Sequence, residues 1–336
     1  MKIKPKKTKT ALITGGAGFI GSHLCEELLS RGFKALVVDD FSTSRKSNIK
    51  HLLGNKMFEF YKGSILDIKL MTSLVKKCDL IYHMAAAVGV KYILDHPLGS
   101  IITNIKGTET VLDLAYQYRK KILIASTSEV YGKHACLPFK EEDDRILGST
   151  SISRWGYAEA KAMDEFMALA YAKERNLKVI IVRLFNTVGP RQAGRYGMVL
   201  PRLIQQALKN EPLTVYGDGL QIRSFLYVKD AVCAIVDLSL AKHTEGEVFN
   251  IGNDQSVSIK DLAFKIRDKA HSTSEIKFIP YEEAFGDKAA EFEDMQCRIP
   301  DISKIKAAIS YQPKYTLDSI IENTVQYFLE NRCKVI

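Results

Sequence analysis

Residues 10–21 read Thr-Ala-Leu-Ile-Thr-Gly15-Gly-Ala-Gly18-Phe19-Ile20-Gly21, a short apolar run that breaks into glycines and passes directly into a helical pattern from Phe19 to Arg31. The glycines fall as G-x-x-G-x-x-G, which commits the chain to a strand, a tight turn and a helix lying close against the strand. Gly15 permits the turn, Gly18 lets backbone N–H groups approach a pyrophosphate, and Gly21 lets helix and strand pack. The helix N-terminus, with Phe19 and Ile20 in its first turn, then faces the negative charge. The next apolar run, Ala35 to Val38, ends in Asp39, 18 positions after Gly21. A carboxylate there can bind both hydroxyls of a ribose, which favours NAD and disfavours the 2′-phosphate of NADP. Arg45 and Lys46 lie close behind it.

Further apolar runs follow at residues 57–61, 79–83, 122–125 and 179–182, separated by helical patterns that are clearest over 97–118 and 156–175. Such alternation predicts an α/β fold, a Rossmann-type doubly wound parallel sheet with strands buried on both faces. Residues 1–185 are read as this NAD-binding domain. Beyond them Pro and Gly become frequent, strands shorten, and helices are predicted at 198–209, 228–240, 258–270 and 316–331. Residues 186–336 are therefore read as a smaller C-terminal α/β substrate-binding lobe, with some segments returning to the main sheet. Asp67, after the third strand, suits either an adenine contact or a helix N-cap. The fourth strand ends in His83-Met84-Ala85-Ala86, whose small residues let a dinucleotide lie across the strand tips. His83 itself reads as a satisfied strand-end histidine. Ser42, Asp67, Ile68, Ala85 and Ala86 complete the predicted cofactor set.

Composition excludes several classes. Of the 336 residues, 46% are hydrophobic and 26% charged, average for a soluble globular protein. No apolar run approaches the ~18–20 residues needed to span a bilayer, so no membrane partner is expected. The net charge is +9, but five of those charges are Lys2, Lys4, Lys6, Lys7 and Lys9, and the rest of the chain carries +4. That arm runs into a strand, not into an apolar secretory core, and reads as solvated. With no basic helix interleaved with aromatics, nucleic acid is not an expected partner. Cys25, Cys78, Cys136, Cys233, Cys297 and Cys333 are scattered without a C-x-x-C. That pattern predicts reduced thiols, a cytoplasmic protein and no metal site.

The fifth strand ends in Ala125-Ser126-Thr127-Ser128-Glu129-Val130-Tyr131-Gly132, and Tyr157-Ala-Glu-Ala-Lys161 follows. Tyrosine and lysine at i and i+4 share a helix face, and an ammonium beside a phenol stabilises the phenolate so that it can act as a base. With the glycine cradle and the hydroxyl-rich strand end, the chain resembles the extended short-chain dehydrogenase/reductases over nearly its whole length, in the branch that modifies nucleotide sugars. The resemblance implies that Gly15, Gly18 and Gly21 hold NAD, that Thr127 or its neighbour touches the sugar O4, and that Tyr157 takes the O4 proton. It also implies that Lys161 holds the nicotinamide ribose and that Asn104 shapes the sheet beside the site. The stretch Arg183 to Pro190 matches one in which the asparagine, here Asn186, contacts the diphosphate. Gly217 to Val228 matches a nucleotide-binding stretch that puts Arg223 near the diphosphate or uridine, and Arg298 matches a C-terminal arginine reaching the same pocket. Guanidinium groups supply the fixed bidentate donors that a diphosphate needs. A homodimer through helices 97–118 and 156–175, paired as a four-helix bundle, is implied as well.

Members of this branch open by oxidising C4 to a ketone. A 4,6-dehydratase resembles Thr-Asp-Glu where this chain has Thr127-Ser128-Glu129, so Ser128 removes the general acid. Thr-Ser-Glu-Val-Tyr-Gly is instead the pattern of UDP-glucuronate decarboxylases, in which a 4-keto uronic acid is a β-keto acid that loses CO2. Glu129 and Arg298 are there expected to position the sugar and manage protons around C5. Arg154-Trp155-Gly156-Tyr157 and the run from Phe292 to Arg298 also resemble that branch. The loop Val88-Gly89-Val90-Lys91-Tyr92 and the stretch Arg195-Tyr196-Gly197 depart from it, and Lys91 and Arg195 are candidate contacts for a sugar substituent. The expectation is decarboxylation of UDP-glucuronate. The alternative is 4-epimerisation of a UDP-sugar of the glucose, glucuronate or N-acetylglucosamine type. Another NDP-sugar dehydratase, or a non-catalytic NAD-binding regulator, stands behind these.

Overall fold

In β1 (Thr10–Thr14) successive side chains point to opposite faces, and the chain uses both. Ala11 and Ile13 join one apolar layer with Leu24 and Leu28 of α1 (Phe19–Ser30). Leu12 joins the other, with Met71 and Leu74 of α2 (Ile68–Lys77) and Val111 and Leu112 of α3 (Pro97–Gln117). A strand that is apolar on both faces needs helices on both sides of its sheet. This computed structural model describes residues 8–89, 93, 95–135, 137–192, 198–286, 293 and 295–331.

The sheet continues through β2 (Lys34–Asp39), β3 (Phe58–Lys62), β4 (Leu80–His83), β5 (Lys121–Thr127) and β6 (Val179–Leu184), with α4 (Ser153–Arg175) between the last two. These are the strands predicted from the apolar runs, shifted by a residue or two at their ends. The spatial order is β3-β2-β1-β4-β5-β6, and every pairing is parallel. The connections from β1 and β4 diverge to opposite sides, so a crevice opens where these two neighbours end, at the switch point of a doubly wound sheet.

The second half of the chain adds β7 (Thr187–Val188), α5 (Val199–Lys209), β8 (Leu213–Tyr216), β9 (Ile222–Ser224), β10 (Leu226–Tyr227), α6 (Val228–Leu240), β11 (Glu247–Ile251), β12 (Ser256–Ser258), α7 (Ile259–Lys269), β13 (Ile276–Ile279) and β14 (Cys297–Arg298). Of these, β11 pairs with β6 as the seventh strand of the main sheet, and α6 shares the apolar layer of α1. A separate apolar cluster, including Leu200, Leu203, Ile204, Leu262 and Ile266, forms around α5 and α7. Arg191 ties the two halves together. Its guanidinium donates to Glu26 Oε1 at 2.6 Å and Ser22 Oγ at 2.9 Å, both on α1.

One difference from the sequence reading matters for the site. α4 starts at Ser153, a turn before the predicted Gly156. Gly156 is an interior helix residue that lets α3 approach: a Cβ there would stand 3.2 Å from Ile101 Cδ1. The early start places Arg154 on the helix, one turn before Tyr157.

Buried ionic bonds hold α4 to the sheet. Arg183 on β6 donates through Nε and Nη2 to Glu165 of α4, at 3.0 and 2.7 Å for its shortest contacts. Ser126 of β5 donates to the same carboxylate. Arg183 Nη1 donates to Tyr131 Oη at 2.8 Å, and that hydroxyl donates to Asn250 of β11 at 2.8 Å. Breaking one member leaves a buried charge uncompensated. Replacing Arg183 by Met is expected to cost about 3–5 kcal/mol of stability, read as a lower midpoint in urea unfolding, whereas a surface change such as Lys173→Met should leave the midpoint within about 0.5 kcal/mol of wild type.

Candidate active site

A cleft of about 2300 Å3 runs along the ends of the strands and under the smaller lobe. Single small-molecule pockets occupy roughly 300–1,000 Å3, so this one has room for two sizeable ligands side by side.

The glycine cradle forms one end. Gly15 has φ of 67° and its N–H donates to Val38 O at 2.9 Å. A Cβ at Gly15 would lie 2.8 Å from the backbone of Ala85, and one at Gly21 would lie 2.2 Å from Gly15 O. Both positions therefore demand glycine, as does the approach of β4 to the turn. The first turn of α1 begins at Gly18 with no side-chain cap and no acidic residue, leaving its N–H groups to an anion in the cleft. Asp39 fixes the turn from the side. Its carboxylate accepts from Ala17 N at 2.9 Å, Phe41 N at 2.9 Å and Ser44 Oγ at 2.6 Å. It still lines the cleft, as do Phe19, Ile20, Ser42, Ala85 and Ala86. An open donor row facing a fixed carboxylate fits a dinucleotide with a free ribose diol.

Three predicted cofactor residues sit elsewhere. Asp67 caps α2, accepting from Leu70 N at 3.0 Å. It and the exposed Ile68 are not part of the cleft wall, where Ser64, Ile65 and Leu66 stand instead. Asn104 is buried and grips the strand tip, accepting from Ala87 N at 2.8 Å.

The middle of the cleft holds Tyr157, with Thr127, Ser128 and Glu129 opposite it. Thr127 Oγ1 accepts from Glu129 N at 3.2 Å and bonds the Tyr157 phenol. Ser128 Oγ is buried with no partner of its own. Arg298 on β14 lies 2.8 Å from Glu129 Oε1, and Arg154 lies 3.6 Å from Oε2. Arg223 stands beside Arg298 because β9 and β14 pair in parallel with these two residues in register. Burial alone would raise the Glu129 carboxyl, but Arg298, Arg154 and Arg223 hold it down at about 2. Glu129 is thus a permanent carboxylate near neutral pH. The expected proton handling around C5 does not fit that state; what it can do is aim three guanidinium groups.

Burial drives the Tyr157 phenol well above its ordinary value, and the Glu129 and Asp164 carboxylates push it further, against Thr127 and Arg298. The lysine expected to oppose them is turned away. Lys161 Nζ lies behind the cleft wall, 2.7 Å from Asp164 Oδ2. Asn186 lines the cleft with its side-chain N–H committed to Ser224 O at 2.9 Å. Lys91 and Arg195 lie outside the described residues, as do Lys2, Lys4, Lys6 and Lys7 of the basic arm.

Sequence reasoning missed Arg154 and Asp164 as site residues, although both stand three positions from a predicted one on α4. It also missed the far end of the cleft. There the Arg202 guanidinium lies 4.1 Å from the centre of the Tyr216 ring, and Gln221 donates to Tyr281 Oη at 2.7 Å. No spacing pattern connects those residues. The two stretches that resembled one branch do meet: Trp155 Nε1 donates to Glu293 Oε2 at 2.8 Å.

Glu129 yields a pH signature. Its folded carboxyl is held below the ~4.3 of an unfolded chain, so its stabilisation is present above that value and fades as pH falls through 4 toward about 2. Urea midpoints of Glu129→Gln should lie below wild type at pH 7, and the gap should close progressively between pH 5 and pH 3.

Against known proteins, the sequence matches the family described as GDP-mannose 4,6 dehydratase over residues 12–324. It is 42% identical over 323 residues to the UDP-N-acetyl-alpha-D-glucosaminuronate decarboxylase of Bacillus cytotoxicus, covering 96% of this chain and 98% of that protein. The UDP-glucuronic acid decarboxylase 1 of Danio rerio is 36% identical, over 97% of this chain and 74% of its own length. Among solved structures, the UDP-glucuronic acid 4-epimerase of Bacillus cereus in complex with UDP-glucuronic acid and NAD superposes with a TM-score of 0.85 at 29% identity, covering 96% of this chain and 99% of that one. The dTDP-glucose 4,6-dehydratase of Bacillus anthracis in complex with NAD gives 0.84 at 29% identity, over 96% and 97% of the two chains.

Proposed function

This chain belongs to the GDP-mannose 4,6-dehydratase family, and from that premise we propose that it is an NAD-dependent enzyme that decarboxylates a UDP-linked hexuronic acid through a 4-keto sugar. The carrying observation is the charge arrangement beside Tyr157. Arg154, Arg223 and Arg298 surround one carboxylate, Glu129, so the cluster has two positive charges in excess. A nucleotide uronate brings a diphosphate and a carboxylate, and both need fixed cationic donors. The same cluster disfavours dehydration. That reaction needs an acid for the leaving hydroxyl, and neither Ser128 nor a Glu129 held at about 2 supplies one. Loss of CO2 from a β-keto acid needs none at the departing group. The C–C bond electrons pass into the ketone, and a proton is then delivered to C5. The names of the relatives support the same reaction class.

Each group has a place in this chemistry. The glycine cradle and Asp39 hold NAD, whose 2′-phosphorylated form the carboxylate would repel. NAD supplies the hydride acceptor for oxidation at C4. Tyr157 takes the O4 proton, with Thr127 bonded to the phenol, and returns it to the oxygen as the keto group is consumed. Glu129 fixes Arg298 and Arg154, and Arg223 faces the diphosphate. The Arg202–Tyr216 end of the cleft receives the nucleobase.

The exposed side chains Leu98 and Ile102 on α3 and Met163 and Phe166 on α4 support a homodimer through these two helices. Sedimentation velocity should then give twice the 37.7 kDa chain mass, and Phe166→Glu should return it to the single chain. The scattered thiols, free at Cys25, Cys78, Cys233 and Cys297 among the described residues, support a cytoplasmic setting.

The deciding experiment incubates the NAD-loaded protein with UDP-glucuronate and, separately, with UDP-N-acetylglucosaminuronate, and follows the nucleotide by mass spectrometry. Decarboxylation is expected as loss of CO2 from at least one of them, and Tyr157→Phe should slow it about 100-fold or more. Unchanged mass with a new chromatographic peak would instead establish 4-epimerisation.

A further inference from the structure

Behind the cleft wall lies a buried carboxylate that no step above uses. Asp164 is three residues after Lys161 on α4, has no exposed surface, and accepts from Lys161 Nζ at 2.7 Å. An ion pair this deep contributes little net stability compared with apolar side chains of the same size. Its location, one helical turn from Tyr157, suggests a use in the chemistry.

A second set of bonds reaches Asp164 from the main sheet. Ala85 N–H donates to Thr14 Oγ1 at 3.1 Å, Thr14 Oγ1 and His83 Nδ1 are 2.8 Å apart, and His83 Nε2 and Thr108 Oγ1 are 3.1 Å apart. The Thr108 hydroxyl in turn favours the charged Asp164 carboxyl. Burial, with the Lys161 charge, lowers His83 to about 3. It is therefore neutral, with one donor and one acceptor nitrogen. Only one polarity brings a donor to Asp164. Thr14 O–H donates to Nδ1, Nε2–H donates to Thr108, and Thr108 O–H donates to the carboxylate. The row of donors ends on the only group in it that can do nothing but accept. His83 is satisfied, as its strand-end position suggested, and its partners lead to the active lysine.

We propose that Asp164, held in place through Thr108 and His83, is a positioning residue that acts through Lys161, fixing the ammonium one turn from Tyr157 and balancing the charge the phenol experiences. The proposal rests on the reading of Tyr157 as the base. The charged and titratable groups around the pair come from several elements: Lys161, Arg154 and Glu165 on α4, His83 at the end of β4, Glu129 after β5, and Arg298 on β14. Of these, Glu129 and Asp164 oppose ionisation of Tyr157, and Arg298 favours it.

Asp164→Asn keeps the shape and removes the charge. Two consequences have the same sign. Tyr157 loses a neighbouring negative charge and ionises at lower pH. Lys161 is left as a buried ammonium without a counter-charge and gives up its proton at lower pH. Both limbs of the pH–kcat profile should move down by about one unit or more, while KM for the nucleotide sugar changes less than twofold. Thr108→Val should move the profile in the same direction by a smaller amount.

A measurement without turnover decides the point independently. In holoenzyme carrying 13Cε-lysine, the Lys161 signal, assigned by its absence in Lys161→Met, should titrate below about pH 10 in Asp164→Asn, under the ordinary lysine value of ~10.4. A Lys161 signal still fully ammonium at pH 10 in that variant overturns the proposal. So does a kcat that drops equally at every pH, the mark of a merely structural role. Should Asp164→Asn not fold, Thr108→Val carries the same pair of measurements. Wild-type protein inactive on every uronate would overturn the functional reading alone, because the lysine titration still reports on Asp164.

Discussion

The seat of helix α4 on the sheet is fixed by one buried ionic contact, Arg183 with Glu165. The arginine belongs to β6 and the carboxylate to α4, and Ser126 from the end of β5 shares it. Through Tyr131 the same guanidinium reaches Asn250 on β11, the strand contributed by the second half of the chain. Every group that could do chemistry hangs from this joint. Tyr157, Lys161 and Asp164 lie on α4 within three turns of Glu165, while Thr127 and Glu129 follow Ser126 directly. A shift of α4 along the sheet would separate the phenol from the strand-end hydroxyls, so the cost of burying two charges here is offset by register as much as by energy.

Around the reacting position the protein keeps two carboxylates in contrasting states. Glu129 faces three guanidinium groups and is held at about 2. Asp164 faces one ammonium, and burial raises it. One carboxylate therefore acts as a permanent anion that aims cations at the cleft, and the other as a tuned counter-charge behind the wall. Tyr157 lies between them and feels both. The contrast arises from neighbours contributed by different elements, and it gives the site a net positive front for an anionic substrate with a neutralised pair beneath it.

The element order, the parallel sheet and the cradle were legible in the sequence because each depends on spacing within one short segment. Alternation in β1 requires two apolar layers. The glycine positions require backbone closeness that a Cβ would block, at 2.2 Å for Gly21. The i, i+4 relation of Tyr157 and Lys161 follows from helix geometry alone. Asp164 was equally local, but an i, i+3 lysine–aspartate pair is commonly solvated, and nothing in the sequence distinguishes a buried pair from an exposed one. Asp67 went the other way: as an adenine contact or a cap it had the same sequence signature, and the structure makes it the cap of α2.

What the sequence by itself determined is the doubly wound fold, the dinucleotide cradle and the tyrosine that faces the cleft, all set by periodicity and backbone sterics within single elements. What only the tertiary structure decided is how the charges are paired. Arg154, Arg223 and Arg298 meet Glu129 from a helix and two strands far apart in the chain, and Lys161 turns to Asp164 because β4 and α3 close over both. Ionic partners are selected by distance and burial in three dimensions, and neither quantity is encoded in spacing along the chain.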